Sequence, residues 1–195
     1  LLGWHSADDR EIYNLEELAD AFSLDRVNKA GAIFDLSKLD WMNGHYLRSL
    51  PLRSIAERAR KYFTNLPLRD EEQYLAIIKA ARERCTLLPE LAEYASPFLC
   101  PETPAEAAIL DEEASVKVLS WFYANLPSID INDAEAVNLL TKSGIAELGI
   151  KGKAFYTPLR LALIGQSHGP DLATTFSILG LEECLIRLKK YLHQE

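Results

Sequence analysis

Arg160 stands alone as a charge among Leu159, Leu161, Ala162, Leu163 and Ile164, within the stretch GKAFYTPLRLALIGQSHGPDL from Gly152 to Leu172. A guanidinium forks onto a carboxylate or onto the edge of a base or phosphate, and burial makes some partner obligatory. Spacing alone leaves open whether that partner is a carboxylate beneath the helix or a ligand. The following loop, Gln166 to Pro170, could cradle an unstacked base, although its His-Gly-Pro core reads by itself as a rigid turn. A second group, Lys38, Trp41, Asn43, His45 and Arg48, combines cations, a planar aromatic and an amide over a few helical turns. Those are the side chains of a phosphate-and-sugar contact surface. The plainer alternative puts Trp41 and Leu39 in the core and leaves the cations solvated.

Covalent and metal chemistries lack their signatures. There is no GxSxG, HExxH or P-loop, and no GxGxxG between a strand and a helix. His45 and His168 are isolated residues that read as solvated rather than as general bases. Glu112-Glu113 and Glu182-Glu183 read as helix faces, not as acid/base pairs. Cys85, Cys100 and Cys184 are odd in number and widely spaced, which fits reduced intracellular thiols better than a disulfide framework or zinc.

The net charge of -8 argues at first against a nucleic-acid partner, but its distribution is uneven. Arg26, Lys29, Lys38, Arg48, Arg53, Arg58, Arg60 and Lys61 outnumber Asp35, Asp40 and Glu57, so this segment is positive. Glu90, Glu93, Glu102, Glu106, Asp111, Glu112 and Glu113 meet no Lys or Arg across theirs. A two-sided molecule of this kind accepts a polyanion on one face. No signal peptide or membrane-length apolar run is present, so a cytoplasmic, soluble protein is expected. The apolar opening LLGW reads as the start of a trimmed or proteolytically released piece.

Positioning these residues falls to helices. Asn14 with Glu17 predicts a helix from about Leu15 to Phe22, and Asp35 caps a second that Gly44 stops or bends. Pro51 opens a third and Asp70 caps a fourth. Pro89 starts a short one to about Ala95. The three prolines between Ser96 and Pro104 mark a subdomain boundary. Thr103-Pro104 with Glu106 predicts a start running toward Leu126, broken near Glu113. Asn132 with Glu135 begins a helix that Gly144 closes. Thr157-Pro158 reads as N-cap and first residue of the helix carrying Arg160, with Gly165 as its stop. Helices from Leu172 to Leu179 and Leu181 to His193 finish an all-α chain without strand patterns or repeats.

LLGW, FDLSKLDWMNGHYLR at Phe34 to Arg48, and GIKGKAFYTPLRLALIGQSHGPDL at Gly149 to Leu172 together resemble the C-terminal part of bacterial-type glutamyl-tRNA synthetases. The resemblance spans essentially the whole chain. It implies a stem-contact helical fold at 1–50 and two helical anticodon-binding subdomains at 51–102 and 103–195. It implies tRNA(Glu) as partner, with no DNA or membrane, and a monomer. Lys38, Trp41 and Arg48 fall where that family contacts the inner corner of the tRNA. Arg84 falls on the position that reads the third anticodon base, where relatives accepting both glutamate and glutamine tRNAs can carry glutamine. Arg160 matches the contact to the anticodon's other end, and Pro170 and Leu172 the apolar platform beside it. These three are expected to share one exposed surface, with the Glu90 to Glu113 stretch facing away. The HIGH and KMSKS-like signatures are absent, so ATP and Mg2+ are expected only for the catalytic domain of a parent glutamate-tRNA ligase. The rival from another class is a helical protein-interaction module without RNA binding.

Overall fold

A computed structural model describes residues 3–8, 10–28 and 34–192. Leu1, Leu2, Lys29 and His193 lie outside the described residues. Among the described residues the fold is helical, with one isolated antiparallel bridge between Trp4 and Val27. The helices are α1 (Leu15–Ala21), α2 (Leu36–Ser49), α3 (Leu52–Ala59), α4 (Glu71–Ala81), α5 (Leu88–Leu99), α6 (Glu113–Asn125), α7 (Ala134–Leu148), α8 (Lys153–Ile164), α9 (Leu172–Leu179) and α10 (Leu181–Lys189).

Local chemistry sets many of these starts. Asn14 and Glu17 form the reciprocal capping box of α1. Asp35 and Asp70, the caps that the spacing predicts, each accept the backbone N–H three residues on, and so does Asp171 at the start of α9. The N–H groups of Thr86 and Leu87 hold the Glu90 carboxyl below its ordinary range at the start of α5. The N–H of Gln73 does the same for Asp70. Groups lowered in the folded state stabilise it above their unfolded pKa, and that contribution is lost as pH falls through the folded value. The thermal midpoint is therefore expected to be flat from pH 7 to 5 as far as these caps are concerned, and to drop below about pH 4. Melting curves across that range check this, and an Asp70→Asn, Glu90→Gln variant should show a shallower acid decline.

Several helix limits differ from the sequence expectation, each through a longer-range contact. α2 runs straight through Gly44, which is buried because the Arg48 guanidinium folds over it; a Cβ there would lie 3.1 Å from Arg48 Nη1. α7 passes Gly144 and ends at Gly149, whose φ of 67° makes the left-handed cap. Gly144 instead admits the Trp121 ring, 2.8 Å from where a Cβ would sit. The cap of α7 is Asp133 rather than Asn132. α8 starts at Lys153 behind Gly152, so Pro158 lies inside it, and α5 likewise continues through Pro97 to Leu99. The missing N–H groups would have served the carbonyls of Ala154 and Glu93, both exposed residues, so each loss falls on the wet side of its helix. Thr103 starts no α-helix; a 3-10 turn spans Ala107–Asp111 and α6 follows Glu112, at the break expected near Glu113. The last helix ends at Lys189, short of the expected limit.

One contiguous core extends from Leu47 to Leu188. α3, α4 and α5 close around Tyr74, which is fully buried and donates its hydroxyl to the Ala56 carbonyl at 2.5 Å. α6, α8 and α10 close around Phe122, which meets Phe155 and Phe176 at centroid distances of 5.7 and 5.9 Å. α9 joins the two groups by packing on α4, α5, α7 and α10. The N-terminal helices lie outside this core apart from Leu47, and Leu15, Leu24, Phe34 and Leu36 are exposed.

Candidate nucleic-acid interface

α2 presents Lys38, Trp41, His45 and Arg48 within an arc of about 80° at the helical angle of about 100° per residue, so they share a face. Trp41 is 47% exposed and tilts toward His45, with ring centroids 6.3 Å apart. Leu39 is exposed too, which removes the core reading for both. Lys38 is paired with Glu11 in the free chain, whereas Arg48 is exposed over Gly44 beside Thr86. The chain thus offers a planar stacking surface between two cations, one of them already neutralised.

Arg84 sits in the turn after α4, its backbone N–H bonded to the Ala81 carbonyl at 2.9 Å and its side chain exposed. Its charge reaches Asp171, the residue between Pro170 and Leu172. Burial works to raise the Asp171 carboxyl, but the Thr174 N–H at 2.8 Å, the Thr174 hydroxyl at 2.9 Å and Arg84 outweigh it, leaving the group below its ordinary range. Burial pushes the nearby Tyr94 hydroxyl up, and Arg84 opposes that shift. The fold therefore brings Arg84 beside the loop that the sequence associates with Arg160.

Arg160 projects from α8 into an open cavity of about 600 Å³ lined by Glu106, Ile109, Glu112, Lys153, Tyr156, Ser167 and His168 among others. Its guanidinium stands 5.6 Å from the Tyr156 ring centroid, one helical turn away. The Arg160 Nε is buried without a hydrogen-bond partner, and none of the ion pairs among the described residues includes Arg160. Of the two partners left open by spacing, the carboxylate beneath the helix is not realised. A buried donor without an acceptor costs about 1–3 kcal/mol.

Two expectations about this surface fail. Pro170 is buried and Leu172 is only 5% exposed, so they form a floor beneath the loop and not an exposed platform shared with Arg160. They turn inward because Asp171 caps α9 and directs Leu172 to the core with its first turn. The acidic stretch does not turn wholly away either. The 3-10 turn packs on α8 and places Glu106 and Glu112 in the cavity wall beside Arg160. Sequence reasoning also missed Tyr156 and Asp171. Tyr156 would have been found at the i–4 position had the helix been started at Lys153.

Nucleophilic chemistry has no support at the cysteines. Burial pushes the Cys85 thiol up to about 11 and the Cys184 thiol up to about 12, so both stay protonated at neutral pH. Among the described residues no group of His, Cys, Asp and Glu is arranged to hold a metal, and no helix is long and apolar enough to cross a membrane.

A helical scaffold with separated arginines, one of them in the wall of an open cavity, and an aromatic-cationic helix face carries side-chain types suited to single-stranded RNA. The chain belongs to the anticodon binding domain family, whose profile matches residues 54–192. It is similar to the glutamate-tRNA ligase of Carboxydothermus hydrogenoformans, 38% identical over 199 residues that cover 96% of this chain and 41% of that protein. The glutamate-tRNA ligase of a Sulfurihydrogenibium species is 35% identical over 198 residues, covering 98% of this chain and 41% of its own length. A crystal structure of a glutamate tRNA ligase from Elizabethkingia meningosepticum in complex with its amino acid superposes with a TM-score of 0.86 at 28% identity, covering 98% of this chain and 39% of that one. The chain thus spans 41% of the length of these curated relatives.

Proposed function

We propose that this chain recognises tRNA(Glu) by its anticodon loop and inner corner, within a glutamate-tRNA ligase that attaches glutamate to tRNA using ATP and Mg2+. Arg84 and Arg160 read the two ends of the anticodon, Pro170 and Leu172 mount the loop between them, and Lys38, Trp41 and Arg48 meet the inner corner. The division of labour follows 1–50 for the stem and 51–102 and 103–195 for the anticodon. The chain acts as a monomer in the cytoplasm and activates no glutamate itself. The observation that carries this reading is Arg160, without an ion pair among the described residues, in the wall of an open cavity in a member of the anticodon binding domain family.

The test is a titration of a labelled tRNA(Glu) anticodon hairpin at about 50 and 200 mM salt. Single-stranded phosphate contacts release counterions, so a few of them predict roughly tenfold weaker binding at the higher salt. Absence of binding at low salt, or affinity indifferent to salt, would refute the RNA reading.

A further inference from the structure

The two helical groups are joined by side chains that bond the carboxyl ends of helices across the seam. Just before α4, Arg69 Nη1 donates to the Leu179 carbonyl at 2.6 Å, and from its first turn Gln73 Nε2 donates to the Ile178 carbonyl at 3.2 Å, both at the end of α9. From α10, Arg187 Nη2 donates to the Phe98 carbonyl of α5 at 2.7 Å and Nη1 to the Leu163 carbonyl of α8 at 2.5 Å. Glu183 holds the Arg187 Nε at 2.6 Å, and the Arg187 side chain is only 12% exposed. The last carbonyls of a helix have no partner within it and carry its negative dipole end, so a guanidinium is well matched to them. Gly180, with φ of 80°, leaves room for the Arg69 side chain, since a Cβ there would lie 2.9 Å from Arg69 Nη1.

The placement of this clamp relates it to function. The start of α4 meets the end of α9 at Arg69 and Gln73, while the end of α4 leads to Arg84, which faces Asp171 at the start of α9. α4 and α9 are therefore antiparallel neighbours, clamped at one end and carrying the Arg84 and Asp171 meeting at the other. Arg160 follows the same frame, because Arg187 bonds the last turn of its helix.

We propose that Arg69 and Arg187 are positioning residues that fix Arg84 and Arg160 relative to one another. The inference rests on the anticodon reading above. Two subsites linked rigidly at the correct distance bind a ligand spanning both more tightly than either alone, and loosening the link removes that gain without touching either contact.

The test uses the full 195-residue chain with Arg69→Met and Arg187→Met combined, its helicity verified by circular dichroism. Four anticodon hairpins are titrated: the cognate, one with the first base changed, one with the third changed, and one with both. Wild type should prefer the cognate. The double variant should lose about tenfold for the cognate and less than about twofold for the other three, because only the cognate engages both subsites. A loss equal across all four, or no loss for the cognate, overturns the proposal. Should the double variant fail to fold, Arg69→Met alone carries the same comparison with a smaller loss of about threefold on the cognate. A wild-type chain that binds all four alike refutes the anticodon reading, and this inference with it, before any variant is made.

Discussion

Replacing Arg84 with glutamine is expected to remove most of the preference for the third anticodon base while leaving the fold intact. Its side chain is exposed and makes no hydrogen bond or ion pair among the described residues, so the change in stability should stay within about 0.5 kcal/mol. Binding is another matter. An arginine forked onto a base edge contributes about 1–3 kcal/mol of discrimination, a factor of roughly ten to a hundred. Glutamine keeps a donor and an acceptor but loses both the fork and the charge. It also leaves Asp171 without the cation that helps hold its carboxyl low, and so places an unopposed negative charge beside the RNA. Arg84→Lys separates the two effects, since it retains the charge and loses the fork. Affinities for hairpins carrying each of the four third bases decide the matter: four unchanged values for the glutamine variant would end this assignment.

Gly165→Ala should be the most damaging single methyl in the chain. The residue closes α8 with φ of 72°, and a Cβ there would stand 2.4 Å from the Glu102 carbonyl oxygen, a backbone atom that cannot swing aside. The left-handed conformation costs a non-glycine residue roughly 1–2 kcal/mol, and the overlap adds about 1–3 more as the chain at Glu102 is displaced. For a protein of this size that lowers the melting midpoint by roughly 4–20 °C. Gly149→Ala is the internal control, because Gly149 has φ of 67° and nothing within 4 Å of the added methyl. It should lose only the backbone part. Equal melting losses in the two variants would show that the Glu102 contact does not matter.

Among the features readable in advance, the caps were the most secure. Asn14 with Glu17, Asp35 and Asp70 start the helices that their spacing predicts, because an N-cap bond closes within three residues and needs nothing from the remainder of the fold. Gly165 and Gly180 likewise end their helices where expected. The misread positions share a different cause. Gly44, Gly144, Pro97 and Pro158 look like local punctuation, yet each stands inside a helix. The glycines are there for a guanidinium or an indole arriving from another turn or another helix. The prolines are tolerated because the lost bond falls on an exposed residue.

The candidate interface divides in the same way. That Arg160 is out of place among leucines, and that Trp41 lies between Lys38 and Arg48, is a matter of residue type and helical period, and the chain alone carries it. Whether Arg160 meets a carboxylate could not be decided at that level, since the acids that share its cavity, Glu106 and Glu112, are more than forty residues away in the chain. The same holds for Arg84 and Asp171, brought together only because α4 and α9 lie antiparallel. Sequence by itself determined a helical fold for the described residues, most helix starts and an arginine out of place among leucines. Tertiary structure alone decided that Arg160 forms no ion pair among the described residues, that Pro170 and Leu172 face inward, and that carboxyl-end carbonyls are clamped across the seam, because burial and long-range distance depend on how helices pack and not on the order of residues within any one of them.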